Sequence, residues 1–274
     1  MLRSLNSGVS GMEQFQEEMD VIGNNIANVN TTGFKGSTVD FAEAFDQQLS
    51  SGVGGIPMQI GTGVTTSAIS TQFIQGSVST TGVGTDMAIS GGGFFVVQDT
   101  ASGAQYVTRD GSFHVDENGY IVNSSGMRLQ GFTDATLTTR GDIKIDNSGA
   151  PAGSTAAVQS FSIDADGMVN VRLTDGTAFA RGQILMQNFS NPAALTKQGA
   201  NLYSFSTNAG ALGVPSAAGT NGLGTIVSGA LEMSNVDLAA QFANLITAQR
   251  AFQANARVIT TSDEVLQELV NLKR

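Results

Sequence analysis

The residue types able to do chemistry are few in this chain and poorly placed for it. His114 is the only histidine. Asp110 and Asp116 stand near it in sequence, so an acid–base pair is conceivable. On an alternating strand 114 and 116 share one face, but 110 lies across an Asp-Gly turn, which favours a solvated strand histidine over a catalytic one. No local Ser-His-Asp pattern is present. Asp164-Ala165-Asp166-Gly167 begins like a calcium loop, yet the further ligands and the closing bidentate Glu are missing, so a hairpin turn is the simpler reading. Gly91-Gly92-Gly93 leads into an apolar run rather than a helix and has no Lys-Ser/Thr after it. That argues for a tight turn and against a phosphate cradle. Cysteine is absent, which removes disulfides, thiolate metal sites and a cysteine nucleophile. The expectation is no enzyme, with no catalytic, cofactor-binding or metal-binding residues.

The elements around these residues carry a stronger signal. From Ser234 to Arg274 there is neither Pro nor Gly, and Leu238, Leu245, Phe252, Ile259 and Leu266 recur every seven residues. Phe242, Ala256 and Val270 lie on an offset line of the same spacing, interrupted by Gln249 and Asp263. This is a heptad seam on one long helix, with Ser234 placed to cap it and Lys273 and Arg274 suiting its C-terminal dipole. At 1.5 Å per residue it would run roughly 55–60 Å, too long to bury its stripe against itself. The candidate partner is the other end of the chain. Leu2, Leu5, Val9, Met12, Phe15, Met19, Ile22 and Ile26 follow steps of three and four over residues 2–28. Gly8, Gly11 and Gly23 weaken that helix by about 1 kcal/mol each, so it should order only on packing. The pair reads either as an ordinary two-helix core or as a subunit–subunit assembly element.

Between the ends the pattern changes. Val39, Phe41, Ala44, Phe45 and Leu49 suggest a short helix or an extended arm, and residues 50–68 and 206–224, rich in Gly, Ser and Thr, read as connectors. From about 69 to 228 short apolar runs such as Phe94–Val97, Tyr106–Thr108, Phe113–Val115, Tyr120–Val122, Ile143–Ile145, Phe161–Ile163, Met168–Leu173 and Ile184–Phe189 alternate with turn signals. Asp110-Gly111, Asn118-Gly119, Asp166-Gly167 and Asp175-Gly176 are expected as hairpin turns. The fold class is therefore α+β: terminal helices paired in a coiled-coil-like inner domain, with a mainly antiparallel β domain inserted. The divisions are 1–35 for the N-terminal helical part, 36–75 for a connector or arm, 76–228 for the β domain with a possible small insertion at 133–160, and 229–274 for the C-terminal helix.

Composition narrows the partners. Of 274 residues only 13% are charged, 34 are Gly and the net charge is −10. An acidic balance argues against nucleic acid and anionic membrane surfaces. No apolar run reaches the ~18 residues of a membrane span, and the N-terminus lacks the apolar h-region of a cleaved signal peptide.

The ends then identify a family. Asp20-Val21-Ile22-Gly23-Asn24-Asn25-Ile26-Ala27-Asn28 followed by Thr32-Gly33-Phe34-Lys35 closely resembles the N-terminal signature of bacterial flagellar rod and hook proteins, in which Asn24, Asn25, Ala27, Asn28, Gly33 and Phe34 are the marked positions. Leu231-Glu232-Met233-Ser234-Asn235-Val236-Asp237-Leu238, Ala248-Gln249-Arg250-Ala251-Phe252-Gln253-Ala254-Asn255 and Leu266-Gln267-Glu268-Leu269 resemble the matching C-terminal signature. Asp86-Met87-Ala88-Ile89, Gly92-Gly93-Phe94-Phe95 and Tyr106-Val107-Thr108-Arg109-Asp110-Gly111-Ser112-Phe113 are similar to the family's core β motifs, with Ser90-Gly91-Gly92 departing where an acidic turn residue is usual. Within the family the ends look most like compact hook proteins of Gram-positive type, and the distal rod protein is the competitor.

The resemblance implies a structural subunit with no cofactor. It would be exported through the flagellar type III apparatus without a cleaved signal, and would polymerise with itself into a hollow tube of the flagellum. The implied neighbours are the rod, the hook–filament junction proteins and, during assembly, the hook cap. As a hook the tube would be curved and act as a universal joint; as a distal rod it would be a straight drive shaft. The terminal helix seam would be the assembly element. A secreted binding or enzymatic β domain with helical ends is the other class.

Overall fold

The computed structural model describes residues 2–51, 57–134, 137–151, 156–210 and 214–272. They form two compact units, between which the chain passes four times. Met1–Val29, Gly36–Gln72 and Val236–Arg274 make the first; Asn30–Lys35 and Phe73–Asn235 make the second.

The first unit holds helix α1 (Leu2–Ala27), strands β1 (Ser37–Glu43), β2 (Asp46–Ser51), β3 (Pro57–Gly61) and β4 (Val64–Thr71), and helix α2 (Leu238–Leu272). The region expected as a connector or arm is thus two antiparallel ribbons, β1 with β4 and β2 with β3. The short helix considered for 39–49 does not form: Val39 and Phe41 sit in β1, where β-branched and aromatic side chains suit the pleat. The part of the 50–68 connector at 52–56 lies outside the described residues. The rest is strand. The ribbon lies on α1: Phe15 meets Phe41 edge-on at 5.9 Å, and the Thr66 hydroxyl bonds to Gln14 and, at 2.5 Å, to Glu17.

Helix α2 starts later than the sequence suggests. Asp237 is its cap, its Oδ1 accepting the backbone N–H groups of Ala239 at 2.8 Å and Ala240 at 3.4 Å, so Ser234 lies outside the helix. Its 35 residues span roughly 52 Å. Lys273 and Arg274 lie outside the described residues.

The second unit is built of β5 (Val78–Thr80), β6 (Met87–Ser90), β7 (Phe94–Gln98), β8 (Gln105–Thr108), β9 (Phe113–Val115), β10 (Ile121–Asn123), β11 (Arg128–Phe132), β12 (Arg140–Asp142), β13 (Val158–Ile163), β14 (Met168–Leu173), β15 (Ala178–Gln187), β16 (Thr196–Gly199), β17 (Leu202–Ser204), β18 (Ser216–Ala217), β19 (Thr225–Ser228) and β20 (Ala230–Glu232). The main sheet runs β13-β14-β15-β11-β7-β8-β17-β16, with β9, β10, β12 and β18 attached off that path. Pairs β19–β6 and β20–β5 stand apart from it. The pairings are antiparallel, so the described secondary structure is α+β.

Asn118-Gly119, Asp166-Gly167 and Asp175-Gly176 do join paired strands, β9–β10, β13–β14 and β14–β15. Asp110-Gly111 does not: β8 pairs with β7 and β17 while β9 pairs with β10, so the turn passes between ladders. Ile143 and Ile145 are buried, but their backbone bonds go to Leu129, Ile121 and Gly119 in turn instead of forming one strand. Of residues 206–224, 211–213 lie outside the described residues, and 206–210 and 214–224 are not a linker. They carry β18, and Ala209, Ala218 and Leu223 are buried in the unit. One core gathers Phe95, Val97, Ile121, Leu129, Val171, Ile184 and their neighbours; a smaller one is aromatic, with Phe94, Phe189 and Tyr203.

Candidate assembly face and the root of the β unit

In the first unit α1 and α2 pack against each other in opposite directions. Asn25 reaches Gln241 at one end (Nδ2 to Oε1, 3.3 Å), while Gly8 lies by Ile259 at the other. The approach is closest where α1 has glycine. A Cβ on Gly8 would stand 3.2 Å from Ile259 Cγ1, and one on Gly11 would stand 2.5 Å from Asn255 Nδ2. Gly8 and Gly11, which weaken the isolated helix, are thus where the second helix fits; Gly23 meets nothing within 4 Å.

The two sequence-derived lines fare differently. Leu245, Phe252, Ile259 and Leu266 are half-buried, as are Leu5, Val9, Met12, Phe15, Met19 and Ile26, and Ile22 is buried. Leu2 is helical, and its side chain lies outside the described residues. Leu238, Phe242 and Val270 are exposed. Ala256, on the same expected line, is half-buried, and further burial runs through Ala248, Asn255 and Ser262, also seven apart, with Asn255 lying against Gly8 and Gly11. Phe242, Ile246, Val258, Val265, Leu269 and Leu272 remain on the surface of α2, with Leu272 82% exposed. Every ion pair among the described residues belongs to the second unit.

Asn25 is the polar fastening of the first unit. It is buried, donates from Nδ2 to the Ser37 carbonyl at 2.8 Å and accepts the Ser37 N–H on Oδ1 at 3.0 Å. One amide thereby satisfies both backbone groups where β1 begins. Asn28 caps the end of α1, its Nδ2 bonding Asn24 O at 2.9 Å and Asn24 Oδ1 at 3.0 Å. Ala27 is the last helical residue.

The rest of the N-terminal signature works inside the second unit. Gly33 takes φ +66°, and its N–H donates to the Glu232 carbonyl at 2.8 Å. A Cβ there would also stand 2.6 Å from the Asp110 nitrogen, so two constraints demand glycine. Phe34 is buried beneath the Lys197 ammonium, 5.1 Å from its ring centre. Lys35 is fully buried and pairs with Glu232 at 2.6 Å, while Arg109 approaches the other oxygen of the same carboxylate at 3.3 Å. Backbone groups complete the cluster: Lys35 Nζ donates to Ile74 O at 2.8 Å, Arg109 to Gly91 O at 2.9 Å, and the Gly76 N–H to Glu232 Oε1 at 2.9 Å. The Arg109 guanidinium also lies over the Phe94 ring at 5.1 Å. Burial pushes both cations below their ordinary pKa values, and the Glu232 carboxylate opposes that shift.

Sequence spacing does not mark this triad. Its members stand 35, 109 and 232 along the chain. The available signal was that each charge interrupts a quoted family motif rich in apolar and turn residues. The cluster ties together the points where the chain leaves the unit: Lys35 at one, Ile74 and Gly76 at the next, Glu232 at the last, with Asn235 Nδ2 also on Ile74 O at 3.2 Å.

The three suspected chemical sites resolve as structure. His114 is exposed. Asp116 accepts the Asn118 and Tyr120 N–H groups at 2.9 and 2.8 Å, and Asp110 accepts from Thr32 and Ser112, so each carboxylate shapes a turn. Asp164 accepts from Asn170 at 2.6 Å across its hairpin. Gly91 to Gly93 form the turn between β6 and β7. Among the described residues no cluster of three metal-ligating side chains occurs, and no helix is long and apolar enough to cross a membrane.

Comparison with known proteins agrees along the chain. Residues 5–35 match the family described as flagella basal body rod protein, 88–171 the flagellar hook protein FlgE/F/G D1 domain, and 227–272 the flagellar basal body rod FlgEFG protein C-terminal family. A flagellar basal-body rod protein FlgG of Bacillus subtilis is 43% identical over 281 aligned positions, covering 100% of both chains. A flagellar hook protein FlgE of Treponema pallidum is 50% identical over 141 positions, covering 48% of this chain and 30% of that one. The FlgG of Buchnera aphidicola from Acyrthosiphon pisum is 35% identical over 99% of this chain and all of its own. The whole-length match to relatives named as flagellar rod proteins, the three matching family models and the terminal signatures make this chain a structural, non-enzymatic member of the flagellar rod and hook family of axial proteins.

Proposed function

We propose that the chain is the subunit of the flagellar hook, a hollow curved tube of its own copies that passes motor torque to the filament as a universal joint. The observation that carries this reading is the apolar surface of α2. Phe242, Ile246, Val258, Val265 and Leu269 lie exposed along one long helix whose unit has no ion pairs among the described residues. Each Leu or Phe buried between copies contributes roughly 1.5–3 kcal/mol, and apolar contacts without fixed ion pairs can shift as neighbours slide. Passage through the type III apparatus without a cleaved signal accords with a glycine-weakened α1 that is poorly stable alone. Contacts with the rod, the hook–filament junction proteins and the assembling cap belong to the same proposal, as does an extracellular place at the hook.

The distal rod is the second reading, favoured by the whole-length match to relatives named as rod proteins. Electron micrographs of polymers grown from the purified chain separate the two: curved tubes for a hook, straight ones for a rod. Phe242→Asp with Val258→Asp, both at exposed positions, should leave the monomer's melting unchanged and abolish polymers. Tubes of normal length from that variant would remove the terminal helices from the assembly interface.

A further inference from the structure

The second unit has an apolar groove of about 210 Å³ lined by Val96, Val107, Phe189, Phe205, Val214 and Pro215. It is smaller than the ~300–1,000 Å³ of small-molecule sites, so its size suits one large side chain better than a free ligand. Phe205 and Val214 remain exposed at its walls. At its edge the Arg140 guanidinium donates to the Pro215 carbonyl at 3.2 Å and has no carboxylate partner among the described residues. The first unit carries the complement. Phe45, between β1 and β2, is 94% exposed, and it is flanked by Glu43 and Asp46, whose carboxylates have no cation partner among the described residues. An exposed aromatic with acidic neighbours and an apolar groove with a basic edge match in both size and sign.

We propose that in the polymer Phe45 of one copy fills the Phe205–Val214 groove of another, with Glu43 and Asp46 brought against Arg140. The proposal rests on the chain being a subunit of a homopolymer and names one contact by which its copies join. It gives the β1–β2 corner a task separate from the helix face: the helices bring copies together, and the aromatic fixes which copy touches which.

The absence of cysteine makes the test direct. Phe45→Cys and Val214→Cys are prepared as separate single-cysteine chains, mixed, polymerised and mildly oxidised. A disulfide-linked dimer that requires both variants is expected, and it can form only between copies. Phe45→Ala should raise the concentration needed for polymerisation about tenfold or more, with monomer melting unchanged. Arg140→Glu should raise it too, and Asp46→Lys in the same chain should lower it again. Polymers that form without the mixed dimer, and at an unaltered concentration in Phe45→Ala, overturn this contact and leave the axial-subunit reading standing. A chain that stays monomeric at every concentration overturns both.

Discussion

The helix pair and the root of the β unit solve one problem, holding sequence-distant segments together, with opposite chemistry. At the root, three ionised side chains from positions 35, 109 and 232 are nearly removed from solvent. That is tolerable because Glu232 faces two cations, and Lys35 Nζ also donates to the Ile74 carbonyl and Arg109 to the Gly91 carbonyl, although the buried Arg109 Nε finds no partner among the described residues. Along the helices the contact is apolar and half-buried, made close by Gly8 and Gly11, and apolar residues are left over on the outside. A region completed within one copy can afford charge, since every partner is guaranteed by the same chain. The helix face that the proposed function buries between copies is left apolar, because an unpaired charge on it would oppose burial.

Removing Glu232 tests that difference at its strongest point. Glu232→Gln leaves two buried cations facing one neutral amide and should destabilise the second unit by about 3–5 kcal/mol. All three tyrosines lie in that unit, so tyrosine fluorescence during urea unfolding reports it, while helical circular dichroism follows the first unit. A loss below about 1 kcal/mol would mean that the triad is a passenger of the surrounding strands. Asn25→Ala is the counterpart in the first unit. It strips partners from the buried N–H and C=O of Ser37 and should cost about 1–3 kcal/mol, read from the helical signal. No effect would make the helix unit a purely apolar assembly.

How much of this was legible follows from the range of each interaction. Turns are local, so Asn118-Gly119, Asp166-Gly167 and Asp175-Gly176 could be read directly, and the seven-residue recurrence at Leu245, Phe252, Ile259 and Leu266 exposed one packing line. The offset line was only partly a packing line within the chain: Phe242 and Val270 stay on the surface, whereas polar Asn255, which hydrophobicity does not mark, packs against Gly8 and Gly11. Connectors were over-assigned for a similar reason. Small residues at 206–224 resemble a linker, but Ala209, Ala218 and Leu223 fill the β unit's interior. The triad was illegible in principle from spacing, since no sequence distance announces that 35, 109 and 232 converge.

Alkaline titration gives the finest separation of the two regions. Tyr203 packs in the aromatic core beside the root, and burial pushes its pKa up to about 12, with the Arg109 charge pulling the other way. The folded state therefore holds the phenolic proton more tightly than the unfolded chain, whose tyrosine titrates near 10. Its stabilisation is complete below pH 10 and is lost as the pH rises from 10 toward 12. At pH 11 the loss is about 1 kcal/mol. Lys35 acts with the opposite sign: its lowered value means the unfolded chain binds the proton more tightly, so stability gains from that group as the pH rises toward 10.5. Comparing the chain with Tyr203→Phe removes the Lys35 contribution, which both share. Relative to Tyr203→Phe, the protein that keeps Tyr203 should lose stability in its second unit above pH 10 and not below it. The helix unit contains no tyrosine, so its helical signal should show no such difference between the two proteins. If the two proteins lost stability in parallel, burial at the root would not be strong enough to hold the phenol neutral.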